Sequence, residues 1–227
     1  MPFLIFLLLI NLYSSSIEIS LLFLTVLCFF VIGFLDDFLS IKNKNNTGLK
    51  SHEKFTLQAL IAIIFIYLAS QNGYINSNIT IFNTWVIDTK IIIFPISFFT
   101  LIGLSNAVNL TDGLDGLASG CSSIVFYGLG TEILLKGKEN LLVFSLLCFA
   151  MSGLCIGFLK FNKYPAKIFM GDSGSLTIGA ILGSISILTN SYFSLFIFSG
   201  IFIIETLSVI IQVGFFKITK ILFHSGR

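Results

Sequence analysis

Charge is what this chain has least of. Only 11% of its 227 residues are Asp, Glu, Lys or Arg, against roughly 25% in an ordinary soluble domain, so a soluble globular fold is excluded. Arginine occurs once, at Arg227. Any bound phosphate must therefore be held by lysine, backbone amides or metal rather than by guanidinium forks. The net charge of +2 is too small for a nucleic-acid partner. The four cysteines, Cys28, Cys121, Cys148 and Cys155, sit in or beside apolar runs with no CxxC spacing, which excludes a zinc site or a disulfide framework. No Lys or Arg precedes Lys42, so the positive region of a signal peptide is missing. Histidine occurs only at His52 and His224, and neither has a metal-ligand companion in the sequence.

What the chain has is apolar length. Hydrophobic residues make up 56% and the mean hydropathy is +0.99. About eight apolar segments are visible: 3–13, 17–35, 55–69, 91–104, 117–135, 141–159, 176–188 and 193–216. A helical span needs about 20 such residues, and most of these runs reach that with some tolerance at their ends. The first is too short and reads as the tail of a helix that begins before the sequence does. The expected fold is all-α, a polytopic transmembrane helix bundle forming a single integral membrane domain over 1–227. Between the runs, Ile79, Ile81, Trp85 and Ile87 alternate as in a small β-hairpin on the outer face. Three small-xxx-small spacings, Gly116/Gly120, Gly153/Gly157 and Gly179/Gly183, favour close helix approach.

Orientation follows from the basic residues. One set of alternate loops carries Lys42, Lys44, Lys50, Lys54, Lys160, Lys163, Lys167, Lys217, Lys220 and Arg227, whereas the other carries Lys90, Lys136 and Lys138. The first set is therefore cytoplasmic. Its loops, near 36–54, 105–116, 160–175 and 217–227, also hold Asp36, Asp37, Asp112, Asp115 and Asp172. Five carboxylates at one membrane face repel one another unless a cation joins them, which points to a metal ion and an anionic substrate. Asp36 and Asp37 close an apolar run, where the helix dipole is unfavourable to acids. Asn109, Thr111, Asp112 and Asp115 lie in a glycine-rich segment offering oxygen ligands. Gly171, Asp172, Ser173 and Ser175 precede a span, as a loop presenting amides to phosphate at a helix N-terminus would. Asp172 suits Mg²⁺, which takes one or two carboxylates together with substrate phosphates.

These segments also carry a resemblance. GFLDD, NAVNLTDGLDGLA, YPAKIFMGDSGSLTIG and ETLSVIIQVGFFKITK resemble the polyprenyl-phosphate N-acetylhexosamine-1-phosphate transferases over about residues 3–220. Within that family the muramoyl-pentapeptide branch is the most similar. The resemblance implies transfer from UDP-N-acetylmuramoyl-pentapeptide to undecaprenyl phosphate, releasing UMP, with Mg²⁺ as cofactor. It implies a multi-pass protein of the bacterial inner membrane whose active face is cytoplasmic, and suggests a homodimer. By the same resemblance Asp36, Asp37 and Asp172 are catalytic. Asp172, Asp112 and Asp115 hold the metal. Lys44, Lys54, Asn109, Asp112, Asp115, Asn162, Phe169, Gly171 and Gln212 bind substrate, with Phe169 stacking on uracil. Three alternatives remain open: a UDP-N-acetylglucosamine donor, an inactive shortened member of the family, and a cation transporter using the same acids.

Overall fold

The structure is a computed structural model and describes residues 7–8, 16–43, 48–81 and 85–224, the side chains of 219–224 excepted. The helices are α1 (Ile17–Asn43), α2 (Ser51–Gln71), α3 (Ile93–Thr111), α4 (Leu117–Leu135), α5 (Leu142–Asn162), α6 (Gly171–Leu188), α7 (Tyr192–Phe198) and α8 (Gly200–His224). Single 3₁₀ turns, Lys90–Ile92 and Glu139–Leu141, lead into α3 and α5. Among the described residues seven segments are long and apolar enough to cross a membrane, and the chain is a multi-pass membrane protein. Of the expected runs, 3–13 lies outside the described residues apart from Leu7 and Leu8. The last run divides at Ser199 into α7 and α8.

The helices are long because little interrupts them. Pro95 falls in the first turn of α3, where no intrahelical N–H is required, and Pro165 lies in the loop before α6. α6 is the hub, flanked by α1 on one side and α3 on the other, while α4 and α5 pair beside them. All fourteen residues from Ser175 to Leu188 are buried. Glycine permits this fit. A Cβ on Gly179 would stand 2.4 Å from the Ser105 Cα, and one on Gly33 would stand 2.3 Å from the Asp172 carbonyl oxygen. The Ser105 hydroxyl donates to the Leu176 carbonyl at 2.9 Å across the α3–α6 contact. Of the three small-residue spacings, Gly179/Gly183 is used in this way. A Cβ on Gly153 or Gly157 would meet nothing within 4 Å, because that side of α5 faces away from its neighbours.

α6 ends on the face opposite the aspartates. There Lys136, at the end of α4, donates to the Thr189 carbonyl (2.9 Å), the Asn190 carbonyl (3.2 Å) and the Ser191 hydroxyl (2.7 Å), and pairs with Glu132 at 3.1 Å. A cation on the last carbonyls of a helix satisfies orphan acceptors and complements the dipole. The expected hairpin is present on this face: β1 (Asn78–Ile81) pairs antiparallel with β2 (Trp85–Asp88), with Ile79 opposite Ile87 and Ile81 opposite Trp85.

Candidate active site

α1 does not end at its aspartates. It continues through Asp36 and Asp37 to Asn43, which corrects the expectation that both acids face the negative end of their own helix. Their partners come from elsewhere. Asp37 accepts the backbone N–H of Asp172 (3.0 Å) and of Ser173 (2.9 Å), and Asp112, just past α3, accepts from the Gly171 N–H. Three successive amides at the start of α6 thus go to carboxylates borne by other helices, where the dipole is positive. Gly171 makes the approach possible. Its φ is +67°, and a Cβ there would lie 2.8 Å from the Asp37 carboxylate.

Asp172, in the first turn of α6, faces the same space. It accepts from the Asn109 amide at 2.8 Å and from the Lys54 ammonium. Lys54 also pairs with Asp36 at 3.0 Å, and Asp36 accepts the Leu49 N–H at 3.0 Å. Asn109 in turn donates to the Ser175 hydroxyl at 2.8 Å. Carboxylate oxygens of Asp36, Asp37 and Asp172 all lie within 4.8 Å of one another. The side chains of Lys54, Asp36 and Asp172 are only 13–24% exposed, so water screens them poorly. Among the described residues, Lys54 is the one cation paired with these acids. The surplus negative charge registers on Asp112, whose pKa is pushed up to about 6, first by burial and then by the charge of Asp172. The donor set is all oxygen, acidic and under-neutralised, which fits a hard divalent cation.

The other expected site residues are distributed more widely. Asp115 is exposed, and its carboxylate accepts the Ala166 N–H at 2.9 Å, bracing the loop before α6. Asn162 is 2% exposed. It accepts from the Gly116 N–H (3.1 Å) and the Ser119 hydroxyl (3.0 Å) and donates to the Ile168 carbonyl (3.0 Å), tying the same loop to α4. Phe169 is 74% exposed at the rim. Gln212, on α8, bonds within its own helix to Ser208 at 2.9 Å. Lys44 lies outside the described residues. Sequence reading missed Gly33, Gly48 and Gln58. A Cβ on Gly48 would meet the Asp36 carboxyl carbon at 2.6 Å. Gln58, buried one turn below Lys54, accepts from Asn106 at 2.6 Å. A lone glutamine in an apolar run, four residues after a lysine, was the available signal.

A groove of about 610 Å³ runs along α3 between α7 and α8, from Ile92 and Tyr192 at the far face to Ala107 and Leu207. Its lining is almost wholly apolar. Ala107 lies at the same end of α3 as Asn109, but on the opposite face of the helix.

The fold and site define a multi-pass membrane protein with an acidic, lysine-bridged centre at one end of its bundle. Glycosyl transferase family 4 matches the chain over residues 19–190, and the chain belongs to that family. It is 70% identical over 227 residues to a phospho-N-acetylmuramoyl-pentapeptide-transferase of Prochlorococcus marinus subsp. pastoris (strain CCMP1986 / NIES-2087 / MED4), covering all of this chain and 63% of the relative. It is 44% identical over 207 residues to a protein of the same name from Synechococcus sp. (strain CC9605), covering 91% of this chain and 59% of that one. The chain thus spans about three-fifths of the length of these curated relatives.

Proposed function

We propose that this chain carries the catalytic centre of a transferase moving phospho-N-acetylmuramoyl-pentapeptide from its UDP conjugate to undecaprenyl phosphate, with release of UMP. The observation that carries the reading is the meeting of Asp36, Asp37, Asp172 and Lys54 at one end of the helix bundle. A lipid phosphate and a nucleotide diphosphate are both anions, so bringing them together needs cations and a water-poor setting. The groove supplies the apolar channel that a polyprenyl tail requires. The acidic cluster supplies the place for a divalent ion. We assign Mg²⁺ to Asp172 with Asp36 and Asp37. Asp112 lies beside this set, and Asp115 braces the neighbouring loop. When bound, the ion would withdraw charge from the diphosphate.

The chain's own residues do the rest. Lys54 bridges Asp36 and Asp172 and is positioned to hold a phosphate oxygen brought into the same gap. Asp36 lies within reach of that oxygen and can orient the attacking lipid phosphate or take its proton. Asp37 fixes the start of α6, and with it the direction of Asp172. Asn109 keeps Asp172 from turning away, while Asn162 and Asp115 shape the loop that holds Phe169 at the rim, where its ring can stack on uracil. The ten-to-three distribution of basic residues supports a cytoplasmic active face in the inner membrane, within one integral domain. A homodimer is consistent with the family.

The test is transfer to undecaprenyl phosphate by protein in proteoliposomes, offered each UDP-sugar in turn with Mg²⁺ or EDTA. Magnesium-dependent UMP release with the muramoyl-pentapeptide donor is expected. Turnover of only UDP-N-acetylglucosamine would reject this donor while leaving the transferase class intact.

A further inference from the structure

The hairpin carries an apolar face with a use of its own. Its register places Ile79, Ile81, Trp85 and Ile87 on one face, and Thr80 and Val86 on the other. At the β1 edge that face is engaged, since Ile79 packs against the core and β1 lies along α7. At the β2 edge it overhangs: Trp85 is 72% exposed and Ile87 51%. Two-stranded ribbons are marginal in water, yet this one presents its largest apolar side chains outward.

The height of the hairpin is fixed by what holds it. Its base is closed by the Thr89 N–H and hydroxyl, both donating to the Ser77 carbonyl at 2.9 and 2.7 Å. Asn190, just past the end of α6, donates to the Asn78 carbonyl at 2.7 Å. β2 then runs through Asp88 and Thr89 straight into the apolar span that begins at Lys90. Ile91 and Ile92, 77% and 59% exposed, carry the apolar surface onward into the lipid-facing side of α3. Trp85 therefore sits within one short strand of the point where the chain enters hydrocarbon. Tryptophan favours that depth, because its ring is apolar and its indole N–H needs a polar partner.

We propose that the β2 edge is a bilayer-docking element, with Trp85 and Ile87 lying in the headgroup region of the leaflet opposite the acidic centre. The partner is lipid because the patch is continuous with the membrane-facing side of α3 and is flanked by Asp88 and Lys90 at the polar boundary. Docking there ties the ends of α2, α3 and α6 to one depth of the bilayer.

Trp85 is the only tryptophan of the chain, so the unmodified protein reports on itself. It is reconstituted in palmitoyl-oleoyl-phosphatidylcholine vesicles with or without acyl-chain-brominated phosphatidylcholine. The expected emission is blue-shifted from that of free tryptophan, strongly quenched by the brominated lipid and weakly quenched by aqueous acrylamide. In a Trp85→Phe background, Val86→Trp on the other face is expected to reverse the two quenching responses. Acrylamide quenching without lipid quenching at Trp85 would overturn the proposal. So would protection of Trp85 from both quenchers, which would mean that protein covers the patch. Equal lipid quenching at positions 85 and 86 would overturn the assignment of one face to the membrane.

Discussion

The two ends of α6 use one device to opposite purposes. At the far end, Lys136, just past α4, sits on the carbonyls of Thr189 and Asn190 that close the helix, its side chain 8% exposed and paired with Glu132. At the acidic end, Asp37 and Asp112 sit on the first amides. Both arrangements oppose the helix dipole with a charge from another helix. The far end is then complete, since Lys136 and Glu132 neutralise each other and share Ser191. The acidic end is overloaded, because four carboxylates, Asp36, Asp37, Asp112 and Asp172, meet one cation, Lys54, which pairs with Asp36 and Asp172. Balanced charge fastens the helix, whereas unbalanced charge creates a place for a cation and its ligand.

Either end can be broken separately. Asp172→Asn removes the carboxylate that joins Lys54, Asn109 and the proposed metal. Transfer should fall by about a thousand-fold, with the protein still folded in detergent as judged by gel filtration. Retained magnesium-dependent turnover would remove Asp172 from the centre. Lys136→Met leaves the half-buried Glu132 carboxylate with only the Ser191 hydroxyl. It should lower unfolding stability by about 3 kcal/mol while leaving donor KM unchanged, and a matching Glu132→Gln should recover part of the loss.

Gly171→Ala combines a left-handed backbone with displacement of the Asp37 cap. A loss of about 2–3 kcal/mol is expected, from roughly 1–2 of backbone strain and about 1 of capping. Gly73 has a similar φ of +73° and nothing within 4 Å. Gly73→Ala should therefore cost only the backbone strain, roughly 1–2 kcal/mol. Equal losses at the two glycines would show that the Asp37 contact contributes nothing.

The smallest effect concerns Asp112. Its folded pKa of about 6 lies above the ordinary 3.8, so the metal-free folded state binds a proton more readily than the unfolded chain. Stability then falls as pH rises through that window and stays lower above it. Asp112→Asn should raise the melting temperature in EDTA at pH 8 and have no such effect at pH 3.5. The gain is at most about 1 kcal/mol, because the half-buried side chain is partly screened.

Much of this was legible in the sequence, for physical reasons. Apolar length marks a span whatever its neighbours, so the helices and the membrane class could be read directly. Alternation at Ile79, Ile81, Trp85 and Ile87 marked the hairpin, since period two is a local property. The grouping of Asp36, Asp37, Asp112, Asp115 and Asp172 at one end followed from counting spans. What could not be read was which acid meets which partner. That Asp37 caps α6, or that Asn162 braces a loop from a buried position, depends on close approach of helices distant in sequence. α1 runs past its acids because Asp37 meets the first amides of α6, while Asp36 meets Lys54 and the Leu49 N–H, so both are tolerated within the helix.

The central helix is short for a membrane span. α6 has 18 residues, about 27 Å of rise, slightly under the roughly 30 Å of bilayer hydrocarbon. α1 continues six residues beyond Asp37, about 9 Å at the same rise. The carboxylates on α1 consequently lie short of its end, level with the first turn of α6. In the proposed reaction, a lipid-borne phosphate would meet them by sliding sideways within its leaflet, with no need to lift its tail toward water.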